Sequence, residues 1–113
     1  MNECYVTARR EWVRFSGGTA AVGLTSEAIS GDIVFVQLPK AGMHVQRDAP
    51  CASVEAVKTV VEVCAPQSGT VCAINESVLD DPDMITEKPM QAWLFRITLD
   101  GPPQLDGLTP YQQ

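Results

Sequence analysis

Lys58 is the residue in this sequence best placed to carry chemistry. The chain has three lysines, and Lys40 and Lys88 both stand beside prolines in turn-like contexts. Lys58 instead interrupts the apolar run Ser53-Val54-Glu55-Ala56-Val57-Lys58-Thr59-Val60-Val61-Glu62-Val63-Cys64-Ala65. As a single strand that run is long for so small a chain. A hairpin turning near Lys58 fits it better, although no Gly, Asn or Pro marks the turn. A tip without the usual turn residues points to selection of the lysine itself, whose primary amine is a nucleophile open to acylation. Glu55 and Glu62 flank this tip. They read either as acidic recognition points for enzymes that visit the lysine or as solvent-facing strand residues.

Other chemistries lack their parts. Residues 18–25 have the spacing of a phosphate-binding loop, but Leu24 stands where the phosphate-binding lysine is required. Asp80-Asp81-Pro82-Asp83 is acidic like a calcium loop, without the alternating ligand order or the closing bidentate glutamate. Cys4, Cys51, Cys64 and Cys72 have no C-x-x-C spacing, and His44 is the single histidine, so a zinc site has poor material. Reduced thiols are expected, with Cys64 and Cys72 acting as small core residues. No carboxylate pair stands out as acid and base. No enzyme active site is legible, and the expectation is a non-catalytic protein.

The elements that must position Lys58 read as short strands. Glu11-Trp12-Val13-Arg14-Phe15, a Ser16-Gly17-Gly18 turn and Thr19–Leu24 form a hairpin. Residues 25–31 read as a short helical turn capped by Ser26 and ended by Gly31. Residues 33–38, 51–57, 59–65, 70–74 and 93–99 read as further strands, and Asn75 caps a short helix over 76–79 that ends at Asp80-Asp81-Pro82-Asp83. Trp12 and Trp93 read as core anchors. Seven or eight strands with frequent turns predict an all-β sandwich or barrel. With 113 residues and 45% apolar content the chain is one domain, 1–113, with a core at about 5–100 and a polar, frayed tail at 101–113.

Charge narrows the partners. Eight Lys+Arg against fourteen Asp+Glu give −6, with no basic stripe, so neither nucleic acid nor an anionic membrane surface is an expected partner. No apolar run approaches the ~20 residues of a membrane span, and Met1-Asn2-Glu3-Cys4 does not start a signal peptide. A cytoplasmic monomer is the expectation.

Glu55-Ala56-Val57-Lys58, followed by Glu62, Pro66 and Gly69, resembles the lipoyl-lysine hairpin of glycine cleavage system H proteins. The likeness runs through ordered blocks over roughly residues 5–108. These are Arg10-Glu11-Trp12-Val13-Arg14, Thr19–Leu24 with Thr25, the block from Gly31-Asp32 to Leu38-Pro39, Asn75-Glu76, and Trp93-Leu94-Phe95. The resemblance implies a lipoyl/biotinyl-type flattened barrel, a barrel-sandwich hybrid of two small sheets with one or two short helices. It implies lipoate in amide linkage to Lys58, carried on an arm that shuttles a group or electrons between enzymes. The implied partners are a lipoate ligase or lipoyl transferase, glycine decarboxylase, aminomethyltransferase and dihydrolipoyl dehydrogenase. Glu11, Glu55 and Glu62 become candidates for recognition or for a pocket that receives the arm. Biotin carriers are related, but they flank their lysine with methionines where this chain has Val57 and Thr59.

The sequence departs from the family in three places. The segment from Thr25 to Asp32 is shorter and lacks the histidine expected there, the loop before Trp93 is shorter, and the C-terminal helix is cut short at Gln113. These departures resemble a side branch of short H-like carriers serving redox or ADP-ribosylation enzymes, or sulfur oxidation. They lead to the expectation of weakened glycine cleavage function. A non-carrier β interaction module using the Trp93 region is the remaining alternative.

Overall fold

The computed structural model describes residues 3–111. In chain order the elements are β1 (Glu3–Val6), β2 (Glu11–Ser16), β3 (Thr19–Leu24), β4 (Ile33–Gln37), β5 (His44–Val45), β6 (Pro50–Ala56), β7 (Val60–Cys64), β8 (Gly69–Ile74), α1 (Ser77–Asp80), α2 (Met84–Glu87), β9 (Phe95–Leu99) and β10 (Thr109–Pro110). They form two antiparallel sheets, of order β10-β1-β2-β3-β9-β8-β5 and β4-β6-β7. The small sheet carries the Lys58 hairpin.

Alternation builds the core between the sheets. Val22, Leu24, Phe95 and Ile97 of the large sheet meet Ile33, Val36, Val54, Ala56 and Val63 of the small one in a single buried cluster. Each of these side chains other than Ala56 contributes about 1.5–3 kcal/mol when fully buried, which holds the hairpin's inner face firmly. Gly23 is required by packing. A Cβ there would fall 2.4 Å from the ring of Trp12, whose indole is fully buried and donates Nε1–H to the Pro89 carbonyl at 3.0 Å.

The flattened two-sheet barrel expected from the sequence is the observed fold, with differences in detail. Residues 26–28 form one turn closed by Ala28 N–H to Thr25 O, not a helix. α1 starts at Ser77, with the Asn75 carboxamide accepting the Ser77 N–H. The expected break at Asp80-Asp81-Pro82-Asp83 instead leads into α2. Pro82 is tolerated just before a helix because an N–H there would have no intrahelical partner, and α2 is held by the buried Ile85. The expected frayed tail is tied down. Tyr5 and Val6 of β1 pair with Pro110 and Thr109, and the Tyr111 N–H reaches Cys4 O. Gln67, itself buried, exchanges two hydrogen bonds with the Gln104 backbone, and Arg47 pairs with Asp106. These attachments are polar, so apolar patterning does not reveal them. Gln112 and Gln113 lie outside the described residues. No helix among the described residues is long and apolar enough to cross a membrane.

Candidate functional site

β6 and β7 pair in the register Ser53↔Glu62, Val54↔Val61 and Glu55↔Val60. The hairpin closes through Ala56 N–H to Thr59 O at 2.8 Å, which leaves Val57 and Lys58 as its apex. The Val57 N–H donates to Asp32 O at 3.2 Å, so the apex is also tied to the chain entering β4. Neither apex residue takes a positive φ. Only turns with positive φ demand Gly or Asn, and this explains the missing turn residues without invoking selection of the lysine.

Lys58 is exposed at this apex and pairs with no carboxylate among the described residues. Its ammonium is therefore available to an incoming enzyme. Glu55 and Glu62 are exposed on the outer face of the small sheet, Glu55 in a row with Phe35 and Val60 and Glu62 in the next row with Ser53 and Gln37. Val34, Phe35, Val57 and Val60 surround the tip at exposures between 55% and 69%. Sequence reading did not single out this apolar collar. Its signal was the consecutive pair Val34-Phe35, which breaks the alternation of a half-buried strand.

Glu11 sits elsewhere. Its carboxylate is buried at the far end of the hairpin, accepting the Thr7 hydroxyl at 3.0 Å and the Cys64 N–H at 2.6 Å. Cys64 lies six residues beyond Lys58, about 20 Å of extended chain at ~3.3 Å per residue. Burial pushes the Glu11 pKa up, opposed in turn by the Cys64 amide, the Thr7 hydroxyl and Arg9. Beside it, burial, Cys64 and Glu11 together push the Cys51 thiol up to about 12. Along the hairpin the structure sets Lys58 at the apex with Glu55 close behind it, Glu62 a row further back and nearer Cys64 than Lys58, and Glu11 as a fastening at the base itself. Cys64 is buried as expected. Cys72 is exposed, following the inward-facing Val71 at the register shift in β8 between Val71 and Ala73.

The family model for the glycine cleavage H-protein matches residues 4–113. The chain belongs to the glycine cleavage H-protein family. It is 44% identical over 111 residues to a glycine cleavage system H protein of Acidiphilium cryptum (strain JF-5), covering 96% of this chain and 90% of that protein. It is 40% identical over 110 residues to one of Bacillus mycoides (strain KBAB4), covering 95% and 87%. A crystal structure of a glycine cleavage system H protein from Mycobacterium marinum superposes with a TM-score of 0.84 at 33% identity, covering 96% of this chain and 90% of that one. Members of this family are lipoyl-carrying proteins without catalytic activity, and the chain is such a carrier. These likenesses do not favour the side branch in redox, ADP-ribosylation or sulfur oxidation, nor the non-carrier module.

Proposed function

We propose that Lys58 is the attachment site, carrying lipoate in amide linkage for the glycine cleavage system. The observation that carries this reading is an exposed lysine at a hairpin apex whose flanking strands are locked into the core. The residues present fit the group. The amine has no carboxylate partner among the described residues, and the backbone bonds at Ala56 and Val57 hold the apex in place. The bound group supplies a cyclic disulfide that opens to accept a substrate-derived group or two electrons. The chain's own contribution is presentation, which raises the effective concentration of the carried group at each partner's site.

In this reading a lipoate ligase or lipoyl transferase loads Lys58, and glycine decarboxylase, aminomethyltransferase and dihydrolipoyl dehydrogenase then visit it. Val34, Phe35, Val57 and Val60 give these enzymes apolar area to bury, while Glu55 and Glu62 supply charge that orients the approach. Glu11 acts as a positioning residue, fixing the base of the hairpin through the Cys64 amide. The carrier works as a single-domain cytoplasmic monomer. The test is intact mass after incubation with lipoate, ATP and a lipoate ligase. The expected result is a gain of one lipoyl group, absent in Lys58→Arg because a guanidinium stays protonated. A gain retained in that variant places the attachment elsewhere.

A further inference from the structure

We propose that Cys51 and Cys64 are a cross-strand thiol pair that closes into a disulfide under oxidising conditions and staples the base of the Lys58 hairpin. The register brings them together. β6 and β7 pair as Ala52↔Val63 on one side and as Pro50↔Cys64 on the other. One residue of β6 is extra between these pairs, so Pro50 and Cys51 both oppose Cys64. Beyond the bulge, Ala65 N–H bonds to Ala49 O at 3.0 Å and Asp48 N–H to Ala65 O at 2.7 Å, so the position is fixed from both directions. Proline suits position 50, since it has no N–H to give the ladder. Opposed residues of an antiparallel pair have Cα atoms about 4.5–5.5 Å apart, inside the ~4.4–6.8 Å that a disulfide spans.

The two side chains also share one environment. Glu11 acts on both thiols, and Cys64 is among the groups that hold the Cys51 thiol protonated. The charged groups facing the pair are Arg9, Glu11, Asp48 and Glu62. Cys4 and Cys72 belong to the larger sheet, where Cys4 opposes Arg14.

An oxidant reaches the pair through Cys51. Cys64 is buried, whereas Cys51 is half-buried and lines a groove of about 540 Å³ with Leu38, Met43 and Pro50. That volume admits a small soluble disulfide such as oxidised glutathione. Cys51 gives up its proton and attacks one sulfur of the oxidant, forming a mixed disulfide and expelling one glutathione thiolate. Cys64 then gives up its proton and attacks Cys51 Sγ, which forms the Cys51–Cys64 bond and expels the second. The two thiolates take up the two protons, so two protein thiols are oxidised and one disulfide is reduced.

Burial pushes both thiols up, so thiolate is scarce near neutrality and closure is slow. The same property makes them poor leaving groups when an external thiol attacks the closed bond. The pair is therefore a latch, slow to set and slow to release. Once closed it turns residues 51–64, with Lys58 near the middle, into a covalent loop and constrains the unfolded chain. It needs no lipoate, so it holds whether or not Lys58 is the attachment site.

The test is incubation of the full chain with oxidised glutathione, then alkylation of free thiols, non-reducing digestion and mass spectrometry. The expected product has lost two hydrogens and gives a peptide pair joined through Cys51 and Cys64. Its thermal midpoint should exceed that of the reduced chain by several degrees. Closure should accelerate about tenfold per pH unit from about pH 7 to 9, because the Cys51 thiol is held up at about 12. A rate that levels off in that interval marks an exposed thiol as the reacting group and overturns the proposal. Cys51→Ser and Cys51→Ala should both lose the joined peptide and the rise in midpoint, and Cys72→Ser should keep both. The proposal is also overturned if oxidation ends with glutathione on Cys51 beside a free Cys64, if the joined peptides run through Cys4 or Cys72, or if the Cys51–Cys64 peptide forms with no rise in midpoint.

Discussion

The two ends of the β6–β7 hairpin are built to opposite rules. At the base, Glu11 is 1% exposed and spends both carboxylate oxygens on internal bonds, while Cys64 is buried and the Cys51 thiol is held far from ionisation. At the tip, Val57, Lys58, Thr59 and Val60 are all exposed, and the restraint comes from two backbone hydrogen bonds. Side chains at the base fix geometry, and side chains at the tip are left for other molecules. A substitution at the tip should therefore change what the protein does without changing how firmly it folds, and a substitution at the base should do the reverse.

The largest expected effect is at Lys58. Lys58→Arg should lose lipoyl loading completely, with a thermal midpoint matching the parent, because an exposed apex residue away from caps and strained backbone moves stability by less than about 0.5 kcal/mol. A clear drop in midpoint would mean that the tip also carries structural load and would erase the contrast.

Second comes Glu11→Ala. It leaves the Cys64 N–H buried without its acceptor, a cost of about 1–3 kcal/mol, read as a lower urea midpoint at unchanged slope. Loading of the folded fraction should persist. If the variant loses loading while keeping its midpoint, the role of Glu11 is at the arm and not at the hairpin base.

How far the sequence announced this division depends on the kind of force involved. The hairpin itself was legible, because β-branched residues flank Lys58 on both sides and the pattern within the hairpin matches burial at Val54, Ala56 and Val63. Glu11 was legible as an acid but not as a fastening, since its partner amide lies 53 positions away. β1, β5 and β10 were missed because strands of two to four residues carry little periodicity, and β10 is an edge strand of only two residues held by pairing with β1. Cys72 was misread because an apolar run does not say which of its residues face inward, and its neighbour Val71 takes the inner face.

A third, smaller effect tests the collar. Phe35→Ser and Val60→Ser remove exposed apolar area, so stability should stay within about 0.5 kcal/mol of the parent. The kcat/KM for loading by the ligase should fall several-fold, with the decrease in KM-dependent capture and not in kcat. Unchanged loading kinetics in both variants would leave Lys58 presented by the apex alone.

The smallest effect is a pH slope at the base. Folded Glu11 holds its proton more tightly than the unfolded chain, because burial outweighs the hydrogen bonds to its carboxylate. Below the ordinary glutamate value of 4.5 both states are protonated and Glu11 introduces no slope. As pH rises from there through the raised folded value, the unfolded chain releases the proton first, so the folded state loses stability relative to it. Glu11→Gln keeps an acceptor for the Cys64 amide and removes the titration. Urea midpoints of parent and variant, taken stepwise from about pH 4.5 to neutrality, should diverge, with the parent losing ground to the variant as pH rises. A parent that gains on Glu11→Gln over that interval would show that the Cys64 and Thr7 hydrogen bonds outweigh burial, making the base of the hairpin an anion-holding site in its own right.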